Sequence, residues 1–256
     1  MYCFRDALQE HKESLNSLNV YPVPDGDTGS NMTATLNSVV SEIESLEDPE
    51  FENIIEAISH GSLMGARGNS GVIISQILRG FVSEIKNASK KTIDANLFSD
   101  ALRAAASAAY EAVGNPVEGT ILTVVRETAE AAEKSLLEHS NLLMVVETAR
   151  EAAKRSLDST PDLLPVLARA GVVDAGGSGF LLMLDSLLHV IDDRPMPEPE
   201  IVKASVDSLI LDIHDDTTNS GTRYEVMYFL DAPDDLIPGF KKAWSEIGDS
   251  IVVVGG

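Results

Sequence analysis

The chain has 256 residues, long enough to bury a sizeable core as one large domain or two smaller ones. Its formal charge is −22, from 41 acidic and 19 basic residues; it lacks the basic footprint of a nucleic-acid binder and is repelled by anionic membrane surfaces. Only 5% of residues are aromatic while Ala and Leu are frequent, which favours closely packed helices over a β-sandwich. A single cysteine, Cys3, rules out an internal disulfide and any multi-cysteine metal site, and its simplest reading is a free thiol in a reducing cytoplasm. No apolar run reaches the roughly 20 residues that span a bilayer, and the N-terminal MYCFRDALQEHKE has no signal-peptide core.

Taken in chain order, residues 1–18 read as one helix with Leu8, Leu15 and Leu18 on one face. The loop NVYPVPDGDTGS follows. Apolar periodicity then predicts helices over 31–46, 51–64, 72–86, 96–113, 120–137, 141–157 and 177–191. In the segment 72–86, Ile74, Ile77, Leu78, Phe81 and Ile85 fall at helical intervals, and the run ALRAAASAAYEAV lets neighbouring helices approach closely. No strand is evident before residue 200, so the first part is expected to be an all-α domain of roughly eight helices.

DDRPMPEPE at 192–200 reads as linker, because its prolines interrupt a helix and its charges resist burial. After it TRYEVMYFL and DSIVVVGG read as strands on either side of a helix, PDDLIPGFKKAWSEIG. The expected division is a helical domain over 1–194, a linker over 195–205, and the incomplete start of an α/β or α+β domain over 206–256 that continues beyond Gly256.

The sharpest chemical signal is Asp25-Gly26-Asp27-Thr28-Gly29-Ser30-Asn31, two carboxylates around a glycine just before a helix. Carboxylate oxygens suit Mg²⁺, which completes its shell with water and phosphate oxygens. A helix entrance offers free N–H groups and a positive dipole end to an anion. Thr28, Ser30 and Asn31 add donors there. Together these specify a metal–nucleotide complex, because paired carboxylates and a phosphate repel without a cation between them. The bland alternative is a capped helix after an acidic turn. An EF-hand is excluded, since Gly29 and Leu36 occupy ligand positions.

Gly65-Ala66-Arg67-Gly68-Asn69-Ser70-Gly71 is a second glycine-rich helix entrance. Asn69 and Ser70 either bond phosphate or cap the helix, and Arg67 either clamps a phosphate or points into solvent. No Gly-Lys-Ser/Thr follows, so this is not a Walker A loop. Pro116-Val117-Glu118-Gly119-Thr120 and Asp174-Ala175-Gly176-Gly177-Ser178-Gly179 repeat the design. Taken singly, each is an ordinary helix start. In an up-and-down bundle alternate N-termini share an end, so the four entrances can gather around one ligand. The five histidines show no metal spacing, and His60 reads as a surface or capping residue.

With these loops the chain resembles the dihydroxyacetone-kinase L-type family, the DhaL or DAK2 domain. NVYPVPDGDTGSNM, GSLMGARGNSGVIISQ, NPVEGTILTVVRE and AGVVDAGGSGFLLML match in order and spacing over residues 1 to about 192. The wording of the first two is closer to the bacterial fatty acid kinases than to the glycerone kinases. The resemblance implies an eight-helix up-and-down barrel with ATP or ADP and two Mg²⁺ ions at one end. It implies Asp25 and Asp27 as metal ligands, and Thr28, Gly29, Ser30 and Asn31 as phosphate-binding residues. Asn69 and Ser70 would contact the nucleotide, with Gly119, Thr120 and the Asp174-Ala175-Gly176 turn near base or sugar. No catalytic base is assigned. The glycerone kinases carry a third acidic ligand where this chain has Val20, and Asn19 is the neutral substitute.

The activity implied is cytoplasmic phosphoryl transfer from Mg-ATP to a fatty acid carboxylate. A separate DegV-like fatty-acid-binding protein would present the acyl chain, and a homodimer is possible through parts beyond this chain. The competing expectations are a dihydroxyacetone-type kinase subunit, a non-catalytic nucleotide-binding module, and a nucleotide-sugar transferase suggested only by the spacing of Asp25 and Asp27.

Overall fold

The computed structural model describes residues 1–88, 90, 92–138, 140–200, 226, 230–248, 251 and 253–254. In chain order the helices are α1 (Tyr2–Glu10), α2 (Lys12–Leu18), α3 (Thr28–Glu44), α4 (Phe51–Gly65), α5 (Gly68–Asn87) and α6 (Ala95–Ala112). They continue with α7 (Ile121–Ser135), α8 (Leu142–Asp158), the short α9 (Thr160–Leu163) and α10 (Pro165–Ala170), and α11 (Ala175–Asp192). A 3-10 turn at Asp234–Leu236 leads into α12 (Ile237–Ser245), within the span read as a helix after residue 232.

The barrel closes in sequence order. The α1–α2 pair packs on α3, α3 on α4, and so on through α5, α6, α7 and α8 to α11, which returns to α1 and α2. Counting α1–α2 as one member gives eight staves, in line with the roughly eight helices that the periodicity predicts and the barrel that the resemblance implies. Fully buried Leu8, Leu36, Ile74, Leu102, Val124, Val146 and Leu184 line its axis. Small residues let the staves close up. A Cβ on Gly80 of α5 would meet the Ala104 carbonyl oxygen of α6 at 2.6 Å, and Ala101, Ala105 and Ala109 are fully buried.

Local signals set the ends of the staves. Asp94 accepts from the Leu97 N–H at 2.8 Å and Asn141 from the Leu143 N–H at 2.8 Å, which caps α6 and α8. Pro165 opens α10 and Gly171, at φ 68°, closes it in the left-handed conformation.

The structure departs from the sequence reading in three places. Residues 1–18 form two helices, broken at His11, whose buried ring bonds the Ala7 carbonyl through Nδ1 at 2.9 Å. Helices α3 and α5 begin earlier than their apolar periodicity, so Thr28-Gly29-Ser30 and Gly68-Asn69-Ser70 are helical first turns rather than loop. Between α8 and α11 lie α9 and α10, too short to show a period. The strand expected at 222–230 falls almost wholly outside the described residues, as does much of that at 249–256. Of the latter, the Ile251 carbonyl accepts from the Gly114 N–H at 3.1 Å, so this segment meets the connector before α7.

The 192–200 stretch is applied to the barrel rather than running clear of it. Met196 packs against the main core and lies 3.9 Å from the Cys3 sulfur, Arg194 pairs with Glu147, and Ser14 donates to the Glu200 carbonyl.

Candidate functional site

Alternation of the staves puts the N-termini of α3, α5, α7 and α11 at one end of the barrel, and close contacts link them into a chain. The first turns of α3 and α5 touch. A Cβ on Gly68, which sits at φ 57°, would lie 2.2 Å from Asn31 Nδ2, and one on Gly71 would lie 2.5 Å from Thr35 Oγ1. Only glycine combines that left-handed backbone with that approach. On the other side Val20 joins Leu18, Leu167, Ala170, Val172 and Ala175 in a small second core, which ties the loop before α3 to the entrance of α11. The α11 entrance in turn meets α7, where a Cβ on Gly176 would be 3.2 Å from that of Ile121.

The four entrances divide into two chemical types. Those of α7 and α11 satisfy themselves. Thr120 caps the Leu122 N–H of α7, and Asp174 Oδ2 accepts from the Gly177 N–H at 2.7 Å on α11. The Asp174 carboxylate also takes the amides of Gly176 and Ile121, and burial pushes its pKa up to about 6 despite those bonds. Gly119, Thr120, Asp174, Ala175 and Gly176 are all buried. The connector ahead of α7 is held by Glu118, which accepts from Thr123 at 2.7 Å and from Arg126 at 2.9 Å, while Gly119 N–H donates to Thr123 Oγ1 at 2.8 Å.

The entrances of α3 and α5 are of the other type. Neither N-cap residue, Asp27 or Arg67, makes a side-chain cap. Asp25 is exposed, and Asp27, Ser30, Asn31, Asn69 and Ser70 are half-buried, so their polar groups face a reachable surface. Buried Asn19 donates through Nδ2 to Asp25 Oδ1 at 2.6 Å, which fixes that carboxylate; turning the amide over would present its oxygen instead. Asn16 supports the next turn by accepting from the Ser30 N–H at 3.1 Å and donating to Ser30 Oγ at 3.1 Å. Thr28 and Gly29 are buried against α2, where a Cβ on Gly29 would meet the Lys12 carbonyl at 2.2 Å.

The profile of the DAK2 domain matches residues 22–189, about two thirds of the chain. The chain belongs to the DAK2-domain family. Among relatives of the same family, protein YloV of Bacillus subtilis is 38% identical over 258 residues, covering 96% of this chain and 46% of its own length. An uncharacterised protein of Staphylococcus aureus strain USA300 is 40% identical over 208 residues, covering 81% of this chain and 37% of its own. The DAK2 chain therefore spans less than half the length of these curated relatives. The dihydroxyacetone kinase of C. freundii has the same fold, with a TM-score of 0.55 at 16% identity over 73% of this chain and 33% of that one. The same enzyme in complex with AMP-PNP and Mg²⁺ superposes with a TM-score of 0.54 over 73% of this chain and 32% of that one.

All the residues singled out in the sequence come to this one end of the DAK2 barrel, but they do not play one part. Asp25, Asp27, Ser30, Asn31, Asn69 and Ser70 form a polar, reachable surface. Thr28, Gly29, Gly119, Thr120, Asp174, Ala175 and Gly176 are buried in the seams between helix ends. Val20 is committed to the second core, and Asn19 stands beside Asp25. Asn16 and the Glu118–Thr123–Arg126 group are supports that spacing alone does not reveal, because their partners lie on other turns or other helices. His60 is a surface residue, paired with Glu42 at 3.0 Å.

Among the described residues no helix is long and apolar enough to cross a membrane.

Proposed function

We propose that this chain is an Mg²⁺-dependent ATP-binding phosphotransferase domain, which moves the γ-phosphoryl group of ATP to the carboxylate of a fatty acid presented by a separate DegV-like protein. One observation carries the nucleotide part: the first turns of α3 and α5 touch, neither is closed by its own N-cap side chain, and Asp25 and Asp27 stand at the mouth of the first. Uncapped first-turn amides are donors that a phosphate satisfies, and two dipole ends meeting at one place favour a multiply charged anion.

The residues fit the metal as well. Among the described residues no group of three or more His, Cys, Asp and Glu side chains is clustered for an ion. The site offers two carboxylates with the neutral Asn19 amide beside them, a sparse set of the kind Mg²⁺ takes when phosphate and water complete its octahedron. Support for this pairing comes from the dihydroxyacetone kinase of the same fold, solved with AMP-PNP and Mg²⁺.

Asp25 and Asp27 would hold Mg²⁺, which would supply charge neutralisation to the phosphates. Asn19 orients Asp25. Asn31, Asn69 and Ser70, with the first-turn amides of α5, take the phosphate oxygens. The buried Gly119–Thr120 and Asp174–Gly176 seams form the floor beneath base or sugar. In the transfer a carboxylate oxygen bonds to the γ-phosphorus while the bond to the β–γ bridging oxygen breaks, and ADP leaves with the electron pair. No proton moves, so no general base is needed. A polyol acceptor is the competing reading, favoured by the fold shared with dihydroxyacetone kinase. It requires a base to take the hydroxyl proton, which the partner subunit would have to bring.

Thermal unfolding with Mg²⁺, with ATP and with both tests the site. A ligand at 100 times its Kd stabilises by about 2.7 kcal/mol, roughly 5–10 °C for a domain of this size. The expected shift needs metal and ATP together and disappears in the Asp25→Ala/Asp27→Ala variant. If nucleotide-free wild type shows no shift, Asp25-Gly26-Asp27 is a structural turn and the proposal fails.

A further inference from the structure

We infer that Arg67 binds the γ-phosphoryl group and gives the site its preference for ATP over ADP, an inference that rests on the nucleotide reading above. The four helix entrances, residues 19–31, 65–71, 114–120 and 171–179, contain one arginine and no lysine. In a chain of net charge −22 that cation stands at the N-cap of α5, next to the glycine that touches Asn31. Through Gly68 it adjoins the first turns of α3 and α5, not the α7 and α11 pair.

Arg67 is exposed, and among the described residues it makes no ion pair. Its hydrogen bonds are to the Ala66 carbonyl at 2.7 Å and the Met64 carbonyl at 3.3 Å, at the C-terminal end of α4. Both come from Nη1. The Nε–Nη2 edge, the fork that matches two oxygens of a phosphate, makes no bond to the protein among the described residues. Two neutral carbonyls hold the side chain in a solvent-facing position from which little is lost on leaving.

The charge balance calls for such a group. Asp25 and Asp27 put two negative charges at the mouth of α3, and a carboxylate acceptor adds a third beside the γ-phosphoryl. First-turn amides offer only partial positive charge. A full cation outside the metal shell has its largest effect on the terminal phosphate, which carries the most charge and receives the acceptor. ADP has no such group, so Arg67 discriminates by what is absent from the product. Once transfer is complete, the guanidinium returns to the α4 carbonyls and the product loses a contact that the substrate had.

The test is the affinity of nucleotide-free protein for MgATP and for MgADP by calorimetry, in wild type, Arg67→Ala and Arg67→Lys. The expected result is a loss of about 10-fold or more in MgATP affinity for Arg67→Ala with MgADP changed less than about 2-fold. Arg67→Lys, which keeps charge but not the fork, should fall between. Equal losses for both nucleotides, or none for either, would overturn the inference, because a residue that only closes α4 cannot move the ratio. Wild type that binds neither nucleotide would instead sink the nucleotide reading itself, and this inference with it.

Discussion

At Asp174 one buried carboxylate accepts the amides of Gly177, Gly176 and Ile121, so it terminates α11 and α7 together. Burial outweighs those bonds and raises its pKa to about 6 from an unfolded value of 3.8. Between those values the folded chain holds a proton that the unfolded chain has released, so Asp174 costs stability as pH rises through the window and nothing further above it. The size is about 3 kcal/mol from a shift of roughly two pH units. Comparison of wild type with Asp174→Asn by urea unfolding should show the variant gaining on wild type by that order between pH 4 and 7. A constant difference would refute the shift. Asp174→Ala should lose both caps, about 1–3 kcal/mol near pH 4, a deficit that shrinks as pH rises through the window because alanine has no charge to bury. The sequence places Asp174 at a helix start, but it cannot show that its carboxylate reaches Ile121, about 50 residues away. Asn16 was missed for the same reason, since nothing in its neighbours says that Ser30 will face it.

Among elements, the seam between α2 and α3 sets the turn that carries Asp25 and Asp27. Gly29 lies against the Lys12 carbonyl and Asn16, and a Cβ there would come within 2.2 Å of backbone oxygen. Neither helix can yield without moving the turn that carries Asp27. Gly29→Ala is therefore expected to cost about 1–3 kcal/mol as an overpacked contact, read as a lower urea midpoint, and to weaken the Mg-ATP-dependent thermal shift. A stable variant with an unaltered shift would show that α2 does not set the mouth. Helix positions were largely legible, because each long stave carries a 3.6-residue apolar stripe. The starts of α3 and α5 were read late: Thr28-Gly29-Ser30 and Gly68-Asn69-Ser70 are polar first turns that periodicity does not register. Helices α9 and α10 were invisible to it, each spanning less than two turns, yet α10 carries Leu167 and Ala170 into the core that holds Val20.

For the whole molecule, the stretch after α11 has the composition of a linker and the contacts of a strap. Met196 sits on the main core beside Cys3, Arg194 pairs with Glu147, and Glu200 reaches Ser14 on α2. Shortening the chain to end after Glu200 should leave the barrel's melting temperature and its response to Mg-ATP intact. Ending it after Asp193 should lower the melting temperature by several degrees, since about 1–2 kcal/mol of apolar burial and pairing goes with Met196 and Arg194. Equal stability of the two would mean that the strap contributes nothing.

The sequence by itself determined the helical class, the positions of the long staves and the four polar entrances, because local periodicity, glycine and helix-capping residues act over a few neighbouring positions. The motifs also point to the family that the comparisons establish. Tertiary structure alone decided which entrances are closed by their own N-cap side chains and which are not, that Val20 belongs to a small core, and that Arg67 adjoins the point where the α3 and α5 entrances meet. Those outcomes depend on which side chains from distant segments arrive at one end of the barrel, and closure of the ring, not local chemistry, brings them there.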